Sequence, residues 1–381
     1  MNRLLKAGLI LISITGIPYI IYLILYLTTD SDETPAKKAA AEPAISIVLP
    51  TYNEEEIIRS KLEELVSLDY PSEQIEIIVV DSSDDRTPAI IQEFFQSREE
   101  PKLKLIREPE RRGLAVALNQ AYAAANNSVV VKTDCDSRIA NDAFRLAVEN
   151  LADNSVGAVT GRNAEVLGGS KVEREYRDIQ ATIQVLESHL DSTLIFHGPF
   201  SAFKRELIVP IDEDSIADDT ELALKIRKQG KRVVFDPAIR YKEAAHSQFS
   251  KRRQQKDRRA MGLIRLLWRQ RDMLGRYGNY GRIVLPFNWW FMIVSPWLLL
   301  GGITVLSVGS VLATGPFGLI IPLLFIVFIT LGARDALGKF QPLYSLFDTQ
   351  VSLAHALVAL LRGEGDGTWE IDEELREAFE N

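Results

Sequence analysis

The chain has one cysteine, Cys135, among 381 residues, so it cannot close a disulfide within itself. That agrees with a reducing compartment. It lacks any excess of positive charge, with a net charge of -8, which argues against general nucleic-acid binding and predicts no nucleic-acid partner. No internal repeat is apparent. Charge of either sign is missing altogether from two long stretches, 7–29 and 283–331. Those gaps divide the chain into membrane and soluble parts.

Ala7 to Thr29 is rich in Leu and Ile and long enough to cross the ~30 Å of hydrocarbon in a bilayer. A cleaved signal peptide would carry an apolar core of roughly 7 to 15 residues with a small-residue cleavage site soon after. This run is longer, so residues 1–29 are expected to form a membrane anchor. Residues 30–43 mix Asp, Lys, Ala and Pro without periodicity and are expected to be a flexible tether. Ile283 to Leu331, interrupted by Ser307, Gly309, Thr314, Gly315 and Pro316, fits two membrane helices and a tight turn, and 283–333 is read as a transmembrane hairpin. Within 340–381, Pro342 to Leu361 contains Asp348, Gln350 and His355, so it either lies along the interface or spans. Residues 251–282, directly before the hairpin, hold eleven Lys or Arg against Asp257 and Asp272. Such clusters mark the cytoplasmic side, which predicts an integral protein of the cell membrane with its soluble domain in the cytoplasm. Arg3 and Lys6 pull the other way, two against eleven.

Residues 44–250 carry the working domain. Ile45 to Leu49, Ile75 to Val80, Leu103 to Ile106 and Val129 to Lys132 are near-continuous apolar strands, as in a parallel sheet covered on both faces. Glu54 to Leu68, Pro88 to Gln96 and Gly113 to Asn126 show apolar spacing of three and four and serve as crossover helices. The fold class is therefore α/β, a doubly wound and mostly parallel sheet with transmembrane helices at both ends. Ligands bind such sheets beyond the carboxyl ends of the strands, and the polar motifs fall there.

Pro50, Thr51, Tyr52, Asn53 and Glu54 turn a strand end into a helix whose first amides can receive an anion or a base edge, although Asn53 reads equally as an N-cap. Asp81 ends the next strand, before Ser82 to Asp85. It can accept hydrogen bonds from a nucleobase, but by itself the segment reads better as a solvated loop. Asp134 and Asp136, two apart at a strand end, can share one hard cation such as Mg²⁺ or Mn²⁺ together with substrate phosphates. An Asx-type turn is the plain alternative. Arg111, Arg112 and Gly113 place cations and free amides where phosphate could sit. Asp218 and Asp219 open a helix; Asp219 is the candidate general base, while taken alone the pair reads as ordinary capping. Gln255 to Arg259 lie in the basic segment, where charge at the membrane surface explains them equally well.

In this order the motifs resemble the family-two inverting glycosyltransferases, in particular the membrane-bound branch with hyaluronan, chitin and cellulose synthases. The resemblance covers nearly the whole chain: Pro50-Thr51-Tyr52-Asn53-Glu54, Asp81, the Asp-x-Asp at 134–136, Asp218-Asp219 in place of Glu-Asp, Gln-x-x-Arg at Gln255 and Arg258, the hairpin, and Gly367-Thr368-Trp369-Glu370 near the end. It implies a GT-A fold and transfer from a nucleotide-sugar donor, a UDP-sugar by family expectation, with Mg²⁺ or Mn²⁺ as cofactor. Pro50, Thr51, Tyr52 and Glu54 would frame the nucleoside, Asp81 would bind the base, and Arg112 and Asp134 would lie on the donor side. Asp136, helped by Asp134, would hold the ion, and Asp219 would deprotonate the acceptor hydroxyl. Asp218, Gln255 and Arg258 would contact the diphosphate and acceptor side, and His197 and Gly198 resemble the segment flanking the acceptor, His197 being equally explicable as structural. Polymerising members place Trp where this chain has Arg259. An Arg there suits an anionic acceptor, so transfer of one or a few sugars to a membrane lipid or glycan is expected ahead of processive polysaccharide synthesis. A membrane-tethered phosphoacceptor or signalling domain would also place acids at parallel-strand ends, but would be about half as long. An inactive scaffold on the same fold would tolerate Asp219→Asn.

Overall fold

The computed structural model describes residues 3–29, 35–167, 171–244, 249–363 and 376. The resembling tail segment at 367–370 therefore lies outside the described residues. After α1 (Arg3–Thr28) come β1 (Ile45–Thr51), α2 (Ile58–Ser67), β2 (Ile75–Asp81), α3 (Thr87–Phe95), β3 (Lys102–Arg107), α4 (Leu114–Ala124) and β4 (Val129–Lys132). Next are β5 (Ser137–Ile139), α5 (Ala143–Leu151), β6 (Val156–Leu167), α6 (Lys171–Leu190), β7 (Ser201–Lys204), α7 (Asp218–Lys228) and β8 (Arg232–Ala244). The chain ends in α8 (Phe249–Arg269), α9 (Leu285–Trp289), α10 (Ser295–Thr314), α11 (Ile320–Ala333) and α12 (Gln341–Leu361).

One eight-stranded sheet runs β3-β2-β1-β4-β7-β6-β8-β5. Strands β1 to β4 are parallel neighbours, as their apolar runs predict. Beyond β4 the sheet is mixed: β7 runs antiparallel to β4 and β6, and β5 antiparallel to β8. Side chains alternate across the sheet with the period of two that a pleat imposes. Ile45, Ile47, Leu49, Ile77, Val79, Val129 and Val131 enter the core under α2, α3 and α5, where Leu62, Phe94, Phe95 and Phe144 meet them. Val48, Ile78, Val80 and Val130 face the opposite core, filled by Leu118 and Tyr122 of α4 and Leu222 and Ile226 of α7. Each such side chain contributes roughly 1.5–3 kcal/mol by leaving water, so the sheet is a rigid platform for its strand ends.

Register aligns the site. Thr51 pairs with Asp81 across β1 and β2, and Lys132 pairs with Val48 of β1 and Ser201 of β7. The ends of β1, β2 and β4 thus open on one edge, beside the turn closed by the His197 to Phe200 bridge.

Three described segments are long and apolar enough to cross a membrane: Arg3–Thr28, Tyr280–Ala333 and Gly338–Leu361. Gly315, with φ +61, turns the second into its two helical arms. Helix α1 packs closely on α10, where a methyl at Gly309 would lie 2.9 Å from Leu4 Cβ; small residues let helices approach when apolar burial offers no drive between them. Leu9, Ile10, Ile20, Leu23 and Leu324 stay exposed, an apolar face of the kind that lipid covers. Helix α12 differs. Asp348 is buried against Arg253 (2.8 Å) and Lys256 (3.2 Å) of α8, and Gln350 donates to the Phe291 carbonyl (3.2 Å). Asp348 and Gln350 are thus turned into protein, whereas His355 stays exposed while bonding Asp257 (2.7 Å).

The tether behaves differently from its composition. Lys37 N–H donates to Asp153 (2.9 Å), Lys38 pairs with Asp236 (2.6 Å), Arg232 donates to the Pro35 carbonyl (2.8 Å), and Ala36 is buried. These contacts lay its second half on the soluble domain, a placement no local pattern could announce.

Candidate active site

The site is an acid cluster with a lysine inside it. Lys132, the last residue of β4, is 1% exposed, and its ammonium lies 2.8 Å from Asp134, 3.2 Å from Asp219 and 4.0 Å from Asp218. A charged group ends an otherwise apolar strand because three carboxylates await it. Burial pulls its pKa down, but the carboxylates outweigh burial and hold it well above the ordinary lysine value. Asp218 and Asp219 are the first residues of α7, where the helix dipole favours negative charge. Both are buried, which raises their carboxyl pKa values; Asp218 pushes Asp219 further up and Lys132 opposes it. Asp219 Oδ1 and Asp218 Oδ2 are buried and accept no hydrogen bond from the described residues. They are open acceptors.

The Asp-x-Asp loop is braced from behind. Thr133 Oγ1 donates to the Pro199 carbonyl (2.9 Å) and Ser137 Oγ to the Asp134 carbonyl (2.9 Å). Lys61 of α2, fully buried, donates to the Ser137 carbonyl (3.0 Å), and Arg138 donates to the Cys135 carbonyl (3.2 Å). Asp136 is raised by burial and by the charge of Asp134. Among the described residues no three His, Cys, Asp or Glu side chains converge as a ready-made cage. Two carboxylates at a braced strand end nonetheless fit a hard divalent ion that takes its other ligands from water and phosphate.

Gly198 closes over the cluster. A methyl there would lie 2.6 Å from Asp134 Oδ2, 2.9 Å from Lys132 Nζ and 3.3 Å from Asp219 Oδ2. The neighbouring His197 turns away, its Nε2 hydrogen-bonded with Gln184 Oε1 (3.0 Å) and its ring near Phe235 and Tyr241. Burial, reinforced by Arg177, lowers its pKa to about 3, so it stays neutral. Its place is that of a brace.

At the end of β2, Asp81 is fully buried. It accepts from Thr51 Oγ1 (2.7 Å) and Ser83 Oγ (2.6 Å) and pairs with Arg107. Both its oxygens are occupied within the protein, and it anchors Arg107, whose side chain remains 44% exposed. Asn53 is not a cap for α2: it has φ +52, its Oδ1 accepts from Asp84 N–H (3.0 Å), and α2 starts at Ile58. Pro50 lies beside the loop, with its carbonyl 4.0 Å from Cys135 Sγ. The Arg111 guanidinium covers the Tyr52 ring at 4.0 Å, and Arg112 reaches back to Glu108 (3.2 Å). Glu54 pairs with Arg376 (3.0 Å), which also donates to the Tyr52 carbonyl (3.5 Å). Burial raises the Glu54 carboxyl to about 8 against the pull of Arg376.

Helix α8 supplies the far wall. Arg258, lowered from its ordinary pKa by burial, is within electrostatic reach of Asp218, with Gln255 one turn earlier. Arg259 and Arg177 (3.2 Å) hold Glu243 between them. Burial raises its carboxyl, but the two guanidinium groups outweigh burial and lower it to about 2. Lys132, Arg107 and Arg376 were not singled out in the sequence. A lysine ending the run Val129 to Lys132 was a signal for the first; Arg376 reaches Tyr52 across 324 residues and left none.

Residues 46–212 match the family described as glycosyl transferase family 2. A probable glycosyltransferase of Bacillus subtilis (strain 168) is 29% identical over 207 residues, 51% of this chain and 49% of its own length. A poly-beta-1,6-N-acetyl-D-glucosamine synthase of Staphylococcus epidermidis is 32% identical over 209 residues, 53% of this chain and 48% of its own. The chain thus spans about half the length of the curated relatives it matches. Among solved structures, a mannosyltransferase from Pyrobaculum calidifontis in complex with GDP-Man and Mn²⁺ is 29% identical with a TM-score of 0.77, over 94% of this chain and 99% of that one.

Proposed function

We infer, from the glycosyl transferase family 2 domain of GT-A fold that residues 46–212 form, that the chain is a membrane-bound inverting glycosyltransferase. It moves a sugar from a nucleoside-diphosphate sugar to a membrane-associated lipid or glycan acceptor. The observation that carries this reading is Asp219: a buried carboxylate at a helix start, with Oδ1 accepting no hydrogen bond from the described residues and Oδ2 held 3.2 Å from a lysine that also binds Asp134.

Asp219 takes the proton of the acceptor hydroxyl as its oxygen attacks the anomeric carbon; the bond from that carbon to the diphosphate breaks, and the nucleoside diphosphate leaves with the electron pair. The configuration inverts in one displacement without a covalent enzyme intermediate. Asp136 and Asp134 would hold Mg²⁺ or Mn²⁺, which when bound supplies positive charge to the leaving diphosphate. Pro50, Thr51, Tyr52 and Glu54 frame the nucleoside, with Asp81 orienting Arg107 toward it. Arg112 adds a cation on this side. Asp218, Gln255, Arg258 and Gly198 line the acceptor side, His197 braces it, and Arg259 is engaged by Glu243 rather than offering a stacking surface. The missing Trp, rather than a free cation for an anionic acceptor, favours transfer of one or a few sugars over a processive synthase. The three apolar segments and the basic 251–282 region support a cell-membrane protein with a cytoplasmic domain. UDP-sugars are the family expectation, and likeness over nearly the whole chain to a protein holding GDP-Man sets GDP-mannose beside them.

The test is nucleoside-diphosphate release by detergent-purified protein from UDP-sugars and GDP-mannose, with Mn²⁺ or Mg²⁺, with and without polyprenyl phosphate. Metal-dependent release from one donor, stimulated by the lipid, supports the reading. Asp219→Asn should lower transfer about 10²- to 10⁴-fold while donor binding persists, and a variant transferring at the normal rate sinks the mechanism. Long polymeric product would favour the processive synthase.

A further inference from the structure

Lys132 has no part in the displacement described above, yet it is the group in direct contact with both halves of the site. Its ammonium lies 2.8 Å from Asp134 on the metal side and 3.2 Å from Asp219 on the acceptor side, with Asp218 at 4.0 Å. The backbone fixes it there: Lys132 ends β4 between Val48 and Ser201, and Gly198 leaves it room, since a methyl at Gly198 would lie 2.9 Å from Nζ. It is 1% exposed, so solvent screens these contacts weakly.

We propose that Lys132 is a positioning residue that couples the two halves: it competes with the divalent cation for Asp134, and when Asp134 turns to the cation, Lys132 is left to hold Asp219 in line for the acceptor hydroxyl. The inference rests on the reading of Asp134 and Asp136 as the metal-holding pair and Asp219 as the base. Its physical basis is charge. An ammonium bound to Asp134 repels a divalent ion approaching the same carboxylate, so Lys132 weakens metal binding in the resting site. A carboxylate that turns to the ion gives up its share of the ammonium, whose remaining partners are Asp218 and Asp219. By reciprocity, whatever tightens metal binding at Asp134 strengthens the hold of Lys132 on Asp219. The arrangement makes alignment of the base depend on the metal-bearing donor site, so acceptor activation follows donor loading.

The full-length chain in detergent tests this by direct titration with Mn²⁺ alone, followed by electron paramagnetic resonance of the free ion, and by transfer kinetics in parallel. Lys132→Met should bind Mn²⁺ about tenfold more tightly, because a like charge has gone, while kcat falls about 10²-fold and donor KM does not rise. A merely structural lysine would move both readouts downward together. Lys132→Arg keeps the charge on a longer, planar head, so Mn²⁺ affinity should stay within about threefold of the parent while kcat drops about tenfold. Unchanged or weaker Mn²⁺ binding by folded Lys132→Met overturns the coupling. If that variant does not fold, Lys132→Arg decides: a loss of Mn²⁺ affinity in step with kcat overturns it. Asp136→Ala separates the two levels. Mn²⁺ binding lost there but unchanged in Lys132→Met removes the coupling alone, whereas a parent protein that binds no Mn²⁺ either alone or with UDP or GDP present removes the metal reading with it.

Discussion

Gly198→Ala adds one methyl group directly over the acid cluster. The new Cβ would lie 2.6 Å from Asp134 Oδ2, about 0.8 Å inside an ordinary 3.4 Å contact, 2.9 Å from Lys132 Nζ and 3.3 Å from Asp219 Oδ2. These are an acid proposed to hold the metal, its lysine and the proposed base, so relief of the clash must displace them by several tenths of an ångström. A misplacement near 1 Å costs about 10²-fold in rate, or about 2.7 kcal/mol of barrier, and kcat should fall by that order. Gly198 does not occupy the left-handed region. Alanine is therefore free of backbone strain and narrows the unfolded ensemble, a gain of about 0.4–1 kcal/mol that offsets part of the clash. The expected signature is a large loss of transfer with little change in melting temperature. Radiolabelled sugar transfer at saturating donor, beside a thermal melt in the same detergent, measures both. Transfer at the parent rate would refute the packing argument; a collapse in melting temperature would assign Gly198 to the scaffold.

Two further predictions concern the frame. Glu187 of α6 is fully buried, accepting from Leu194 N–H (3.0 Å), Thr193 (3.1 Å) and Asn288 (2.6 Å), and burial outweighs these bonds to raise its carboxyl to about 7. Its ionised form is disfavoured in the fold. Stability is therefore greatest below the unfolded value near 4.5 and declines as pH rises to about 7, by about 3 kcal/mol in all. Glu187→Gln should melt increasingly higher than the parent between pH 5 and pH 8; a difference independent of pH contradicts this. Arg227 makes two bonds of 3.0 Å to Asp191 and one of 2.7 Å to the Tyr277 carbonyl, fastening α7 to the turn before the hairpin. Arg227→Ala leaves Asp191 largely buried with only neutral donors, Ser192 Oγ (2.9 Å) and Tyr280 N–H (3.3 Å), so about 3 kcal/mol of stability should go, read as a lowered melting temperature that Asp191→Asn in the same chain does not lower further.

The parallel half of the sheet and the doubly wound class were legible in the chain itself. Strands covered on both faces must be apolar throughout, so Ile45 to Leu49 and Val129 to Lys132 announce themselves, and acids just past such runs sit at open strand ends. The charge-free stretches marked the apolar helices for the same local reason: hydrocarbon tolerates no charge over a full crossing. Strands β5 to β8 were not legible, because their mixed pairing and register shifts break a simple period. Tertiary structure alone decided which carboxylates meet a cation. Lys132 and Asp219 are 87 residues apart and Glu54 and Arg376 more than 300, and their contacts exist only because register and helix packing carry them to one edge. It also decided orientation: Gly198 faces the acids while His197 turns away, and Asp81, exposed in any linear reading, is sealed by Thr51, Ser83 and Arg107. Local sequence sets burial pattern and strand ends through side-chain polarity; long-range packing sets distance and direction, and chemistry at a site depends on those.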